Sequence, residues 1–523
     1  MTTAIAAGAA ALVTRAAEPG FAAWRRNIVR LGGCSNPIHL VGAATVYDTT
    51  TGAALLSYSS DVYGGRLLTS CGNRRATVCP ACSGVYRADT YQLVRAGLVG
   101  GKSVPEAVSG HPRVFVTLTA PSFGPVHTRR ERDGGVRACR PRRAGECCPH
   151  GTPTGCRERH PADDPRLGEP LCPRCYDYAG AVLWHAFAGQ LWHRFGLELR
   201  RDVARRAGLS RTEFAEVARL SYAKVAEYQR RGLVHFHAVI RLDGPDGPGS
   251  VPPGWATVPL LVDAVRGVVG RVRLTAPGAD VVGPRVLRFG KQVDVRPVTS
   301  YRRGAGERPA SAGAVAGYIA KYATKGAESA GAVDGRIYHA RDMVMLPVRA
   351  HVLRMIGTCW WLGGLPEFEP LGLRRWAHML GYGGHFSTKS RRYSTTLTAL
   401  RQARADHRAE QQWALLGLVD RPTVTVGEWR YAGRGYSPEA ALLAASVGGA
   451  VVSTMRDTRT KSAELLTVRQ VLDELGGISR RTFYRWRELR LAPACIRLPN
   501  GELRVRRDVL NEWLEERAEG AAS

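Results

Sequence analysis

The stretch Tyr222–Leu242, YAKVAEYQRRGLVHFHAVIRL, decides how this chain is read. Two apolar runs, Tyr222–Tyr228 and Leu233–Leu242, flank a tight basic turn at Gln229–Gly232. Runs of this length bounded by a turn predict two strands. Successive side chains of a strand alternate between faces, so His235 and His237 share one face and Phe236 takes the other. Two imidazoles on one strand can grip one divalent ion. Two half-exposed histidines on a sheet would account for an isolated HFH just as well, so the flanks matter. Glu227 and Gln229 both have the parity to supply a third ligand. A hard cation prefers carboxylate oxygen, which favours Glu227.

Further strands are expected at Arg113–Thr119 (RVFVTLT) and Gln292–Val298 (QVDVRPV). Helices are expected at Tyr178–Phe195, near Pro259–Val272 and at about Ala312–Thr324. The last of these contains YIAKYATK, Tyr318–Lys325. Tyr318, Lys321, Tyr322 and Lys325 fall at i, i+3, i+4 and i+7, so their polar tips share one helix face. An amphipathic helix with half-buried rings explains that octapeptide by itself. Its position downstream of the histidine strand is what makes it a candidate site. Past Trp361 the pattern is basic and largely helical, with a hairpin-like TVTVGEWRYAGRGY. The Ala-rich start reads as a loose tail running into a helix that ends before Gly32.

The 523 residues carry 74 basic and 45 acidic side chains, a net charge of +29. Such a balance suits a polyphosphate partner, because each Lys or Arg set against a phosphate releases counterions. The sequence has no apolar run of membrane-spanning length and no secretion signal, so the expectation is a cytoplasmic protein without a membrane partner.

Twelve cysteines in such a chain read as metal ligands rather than disulfides. Cys34, Cys71, Cys79 and Cys82 make one plausible four-cysteine zinc site. A second set is crowded: Cys139, Cys147, Cys148, His150, Cys156, His160, Cys172 and Cys175. From it the reading takes Cys148, Cys156, Cys172 and Cys175, with Cys139 and His150 as rivals. Both sites would be structural, since four protein ligands leave no open position, and about two zinc ions per chain are expected. Neighbouring arginines (Arg74, Arg75, Arg140, Arg142, Arg143) could then face phosphates. Cys359 and Cys495 stand alone and read as packing residues.

Taken in order, FVTLTAP (Phe115–Pro121), HFH and YIAKYATK resemble the three motifs of the HUH endonucleases, specifically rolling-circle replication initiators. GLVHFHAVIRLDG and CGNRRATVCPAC resemble the initiators of actinobacterial plasmids and integrative elements, over roughly residues 30–450. The resemblance implies an α+β fold with a ferredoxin-like core, an antiparallel sheet flanked by helices. It implies Mg2+ or Mn2+ at His235, His237 and Glu227, and a tyrosine that attacks a DNA phosphodiester to leave a 5′-phosphotyrosine and a free 3′-OH. Tyr322 is the expected first nucleophile and Tyr318 the second; some single-tyrosine relatives carry glutamate at the latter position. Lys321 and Lys325 would stabilise phenolate or phosphate charge. Thr117 and Thr119 read as strand residues beside the site. The implied substrate is an origin hairpin, single-stranded at the nick. No phosphate loop GxxxxGK[ST] is present, so a host helicase and polymerase would be partners. Two other readings stay open: a two-tyrosine transposase, and a non-catalytic zinc-containing DNA-binding regulator or excisionase.

The last segment has its own logic. A helix Val468–Leu475, a turn at Gly476-Gly477, a helix Arg480–Arg490 capped by Ser479, a hairpin turning at Asn500-Gly501 and a helix Arg507–Arg517 resemble the winged helix-turn-helix of excisionases and MerR-type regulators. Arg480, Arg481, Thr482, Tyr484, Arg485 and Arg487 would face duplex DNA, with Arg504 on the wing; Phe483 and Trp486 read as core. The expected organisation is 1–110, an N-terminal helix and zinc-ribbon-like region; 111–360, the endonuclease with a zinc-bearing insertion at about 124–175; 361–449, a basic helical extension; 450–462, a linker; and 463–518, the winged module.

Overall fold

The computed structural model describes residues 2–515 apart from 64, 133, 143–144, 300–309, 416, 418–420, 448–464, 490 and 498–501. The expected linker at 450–462, the turn at 500–501 and Arg143 lie outside these residues. Along the chain run strands β1 (Ile38–Asp48), β2 (Ala54–Ser59), β3 (Leu67–Thr69), β4 (Arg113–Leu118), β5 (Arg130–Arg132), β6 (Gly135–Arg137), β7 (Arg219–Tyr228), β8 (Val234–Asp243), β9 (Val293–Thr299), β10 (Ala310–Ser311), β11 (Ser387–Lys389), β12 (Thr423–Arg434), β13 (Leu465–Thr467), β14 (Cys495–Arg497) and β15 (Leu503–Arg506). The helices that matter for the site are α1 (Pro80–Val99), α2 (Tyr178–Arg206), α3 (Val258–Val269), α4 (Ala312–Ala323), α5 (Ala350–Leu362), α6 (Leu397–Leu415), α7 (Val468–Glu474), α8 (Arg480–Glu488) and α9 (Arg507–Glu515). The architecture is mixed α+β, and its sheets are antiparallel apart from the short pairing of β9 with β10.

The chain forms two compact units, one from residues 72–421 and one from residues 1–71 with 422–523. In the first, six strands lie in the order β10-β9-β4-β8-β7-β11. Strict alternation assigns the faces. Val114, Val116 and Leu118 of β4, Ala226 and Tyr228 of β7, and Phe236, Ala238 and Ile240 of β8 join a core with α2, α3 and α5. The intervening residues Phe115, Ala223, Val225 and Val239 pack instead against α1 and α4. The sheet is therefore buried on both faces, which is why β8 reads as a nearly continuous apolar run. Its N-terminal end is pinned by His185 of α2, which donates from Nδ1 to the Leu380 carbonyl (2.7 Å) and accepts the Val234 amide at Nε2 (3.0 Å). At the other end the buried Arg241 binds Asp243 through two nitrogens (2.5 and 2.9 Å), and His111 bonds the same carboxylate at 2.8 Å.

In the other unit β12 pairs with β1 along its whole length, from Ile38 opposite Arg434 to Asp48 opposite Thr423. The hairpin expected at TVTVGEWRYAGRGY is thus replaced through Thr423–Arg434 by one strand; its partner lies almost four hundred residues away in sequence, and local alternation cannot reveal it. Gly42 makes this possible, because a Cβ there would stand 1.9 Å from the Glu428 carbonyl oxygen. The Ala-rich start forms a helix, Thr2–Ala16, rather than a loose tail, as alanine's helix propensity allows. The C-terminal segment has a three-stranded sheet, β13-β15-β14, with α7, α8 and α9. Leu466, Val471, Phe483, Val505 and Leu510 form its core.

Candidate functional site

Strand register assembles the site. Glu227 of β7 lies opposite His235 of β8, and Thr117 of β4 lies opposite His237. All four project to the face covered by α4. Glu227 Oε2 is 3.0 Å from each histidine Nε2, and the two Nε2 atoms are 2.9 Å apart. Neighbouring ligands of an octahedral ion bound at about 2.1 Å stand about 3.0 Å apart, while those of tetrahedral zinc stand about 3.4 Å apart. The three donors therefore stand close enough together to hold one metal ion among them. The Nδ1 of His237 lies 3.0 Å from Thr117 Oγ1. When that nitrogen carries the proton and donates to the hydroxyl, the Nε2 lone pair points at the triad. Gln229, the alternative third ligand, bonds Arg231 Nε at 2.8 Å instead.

Helix α4 begins at Ser311, whose hydroxyl accepts the Ala314 amide. Its apolar residues Val315, Ile319 and Ala323 enter the sheet core, which turns the tyrosines toward the triad. The Tyr318 hydroxyl is 3.1 Å from His237 Nε2 and 3.3 Å from Glu227 Oε2. Tyr322 lies beyond it, with ring centroids 4.6 Å apart. The Lys321 and Lys325 ammonium groups lie 5.2 and 4.8 Å from the Tyr322 ring centroid. Lys325 has passed the helix end yet keeps this position, its amide bonded to the Tyr322 carbonyl at 3.1 Å.

The electrostatics follow from burial and from the carboxylate. Burial raises the Glu227 carboxyl, but hydrogen bonds from His235 and His237 outweigh it and bring the pKa to about 2. Burial holds His237 below its ordinary value. Burial first, and then the charge of Glu227, push both tyrosine phenols upward. A cation at the triad would oppose the second of these effects and favour phenolate.

The arginines near the first cysteine set are spent on the protein. Arg74 donates to the carbonyls of Ala323 (3.0 Å) and Lys325 (2.7 Å), closing the C-terminal end of α4. Arg75 binds the carbonyl and carboxylate of Asp334. The Arg231 guanidinium donates to the carbonyls of Ala120 and Pro121, so half of the basic turn is also structural.

Cys34 and Cys71 belong to one unit, where the Cys71 amide lies 3.4 Å from Cys34 Sγ. Cys79 and Cys82 belong to the other, at the start of α1. In the insertion, Cys148, Cys172 and Cys175 come together with His150, whose Nδ1 is 3.2 Å from Cys175 Sγ. This grouping could hold a metal ion such as zinc. Cys156, expected here, lies elsewhere: it joins Cys139 and two histidines, His127 and His160. The crowded spacing could not separate these sets, because loops of similar length allow either partition. Cys156 and His160 do carry a C-x3-H spacing that could have signalled the second group. Cys359 is fully buried against the core, as a packing residue.

In the C-terminal segment Arg480, Arg481, Tyr484 and Arg485 are exposed on α8. Thr482 lies at its start, its amide bonded to Ser479 Oγ at 3.1 Å, and Arg487 stacks on Tyr484. Arg504 of β15 is paired with Glu502 at 2.6 Å. Phe483 is buried, and Trp486 packs near Trp513.

A family model described as "Replication initiator protein, pSAM2" matches residues 20–448. A replication initiator protein from Streptomyces ambofaciens is 49% identical over 444 residues, covering 83% of this chain and 92% of that protein. No solved structure matches the chain.

Proposed function

The chain belongs to the pSAM2-type replication initiator family, and from that premise we propose that it starts rolling-circle replication of a plasmid or integrative element by nicking one DNA strand with a tyrosine. The observation that carries this reading is the Tyr318 hydroxyl within 3.3 Å of a two-histidine, one-carboxylate triad, with the ring of a second tyrosine tilted against it. On this reading the six-stranded sheet is an HUH core, and the C-terminal segment is a winged helix-turn-helix for duplex DNA.

Glu227, His235 and His237 would hold Mg2+ or Mn2+, and the bound ion would polarise the scissile phosphate as a Lewis acid. Tyr322, the ring flanked by both lysines, is the first nucleophile. Its oxygen bonds to phosphorus, the bond from phosphorus to the 3′ oxygen breaks, and the phenolic proton ends on the departing 3′-OH. Lys321 and Lys325 offset charge that develops on the phenolic and phosphate oxygens. Tyr318 makes the second transfer, cutting the regenerated origin after a round of synthesis. The phosphotyrosine conserves the ester, so religation needs no nucleotide.

The test uses the full chain, a labelled single-stranded origin hairpin and Mn2+. A metal-dependent adduct that survives denaturation is expected for wild type and lost in Tyr322→Phe. Tyr318→Phe should keep the first adduct and lose the second transfer. Binding without any adduct would leave a DNA-binding regulator instead.

A further inference from the structure

The insertion contains a second convergence of metal-binding side chains, independent of the nicking site. His127, Cys139, Cys156 and His160 each aim one ligand atom into a common point, all within 4.8 Å of one another. His127 Nδ1 lies 3.1 Å from His160 Nε2, and Cys156 Sγ lies 3.5 Å from the same nitrogen. Ligands of a tetrahedral zinc ion stand about 3.3–3.8 Å apart, so these two separations lie near the edges such an ion requires.

The surroundings of each ligand suit a metal rather than a chance cluster. His160 donates from Nδ1 to Asp164 Oδ2 at 2.7 Å, which fixes the tautomer and turns the Nε2 lone pair inward. Asp164 is itself held by Arg166 Nη2 at 3.0 Å. The Thr128 amide donates to Cys139 Sγ at 3.1 Å.

The position of the ligands says what the ion does. His127 and Cys139 bracket the hairpin of β5 and β6, which exposes Arg129, Arg130, Arg132 and Arg137. Backbone bonds tie the base of this loop down: the His127 amide to Glu169, and Cys139 and Arg140 to the chain at Glu158 and Cys156. Few apolar residues lie in this stretch, so a small core cannot hold it. We infer that His127, Cys139, Cys156 and His160 bind a structural zinc ion that staples the base of this arginine hairpin. This is a zinc site separate from that of Cys148, His150, Cys172 and Cys175.

Metal analysis of the full chain, purified without added metal, tests this by difference. Cys139→Ser and His160→Ala should each lower bound zinc by one ion per chain, and Cys139→His should restore it. Cys148→Ser with Cys172→Ser should remove a different ion, so that combining the two sets removes two. Folded variants that keep the wild-type zinc content would overturn the site. Should the variants not fold, the unmutated protein still decides. Cys139 and Cys156 should resist alkylation until a chelator is added, and hydrogen exchange across residues 128–138 should then quicken. Alkylation indifferent to the chelator would exclude the ion; zinc loss without faster exchange would exclude the staple.

Discussion

Thr117 is a threonine whose strand position looks ordinary, yet its hydroxyl holds the inner nitrogen of His237 at 3.0 Å. Removing such a partner of a metal-bound histidine lowers metal affinity by about 10–100-fold in general. Thr117→Val, nearly isosteric, should therefore weaken Mn2+ binding by about that factor while leaving the unfolding transition nearly in place, read by calorimetric titration and thermal unfolding. Unaltered Mn2+ affinity would leave Thr117 as a strand residue only. At this scale the sequence was partly legible. The parity of His235, His237 and Glu227 follows from strand alternation alone. The bond from Thr117 does not, because it depends on which strand lies beside β8. The C-x3-H spacing of Cys156 and His160 was legible, but their meeting with His127 and Cys139 was not, because ligand choice in a loop-rich insertion depends on how the loops close.

Helix α1 and the chain after β11 meet at Gly97. A Cβ on that residue would stand 2.3 Å from the Tyr393 ring. Tyr393 is fully buried, with its hydroxyl on the Val94 carbonyl at 3.1 Å and its ring near the Arg241 guanidinium. Gly97→Ala should cost about 1–3 kcal/mol through overpacking, measured by urea unfolding; an unchanged midpoint would contradict this close approach. The junction of α2 with β8 carries a pH dependence. His185 is buried and neutral, and burial brings its pKa from 6.5 down to about 4. The unfolded chain binds its proton first as the pH falls, so this contribution to stability is complete above about pH 6.5 and is lost progressively toward pH 4. His351 is lowered similarly by burial and adds to the same slope. The unfolding temperature should fall across that window, and less steeply in His185→Gln. Equal slopes in the two proteins would remove His185 from the account. Most elements were legible from periodicity, with ends shifted by a few residues; α2 runs on to Arg206 because its second half still presents Leu199 and Val203 to the core.

Across the whole molecule, the family match ends at residue 448 and the segment with α7, α8 and α9 follows it. If that segment reads duplex DNA while residues 72–421 cut, a chain ending at 447 should still form the covalent adduct on a single-stranded hairpin. It should lose retention on duplex origin DNA, scored by gel shift at fixed salt; undiminished duplex binding would assign recognition elsewhere. The net charge of +29 makes the salt concentration part of any such measurement. Among the described residues no helix is long and apolar enough to cross a membrane. Sequence alone determined the shared face of the two histidines and the grouping of tyrosines with lysines on one helical face. Each is a local property, set by backbone periods of two and 3.6 residues. Tertiary structure alone decided that β12 completes the sheet of β1, that Gln229 turns away from the triad, and that the insertion divides its ligands into two sets. Each of these is a choice among partners distant along the chain, and only packing and register discriminate between them.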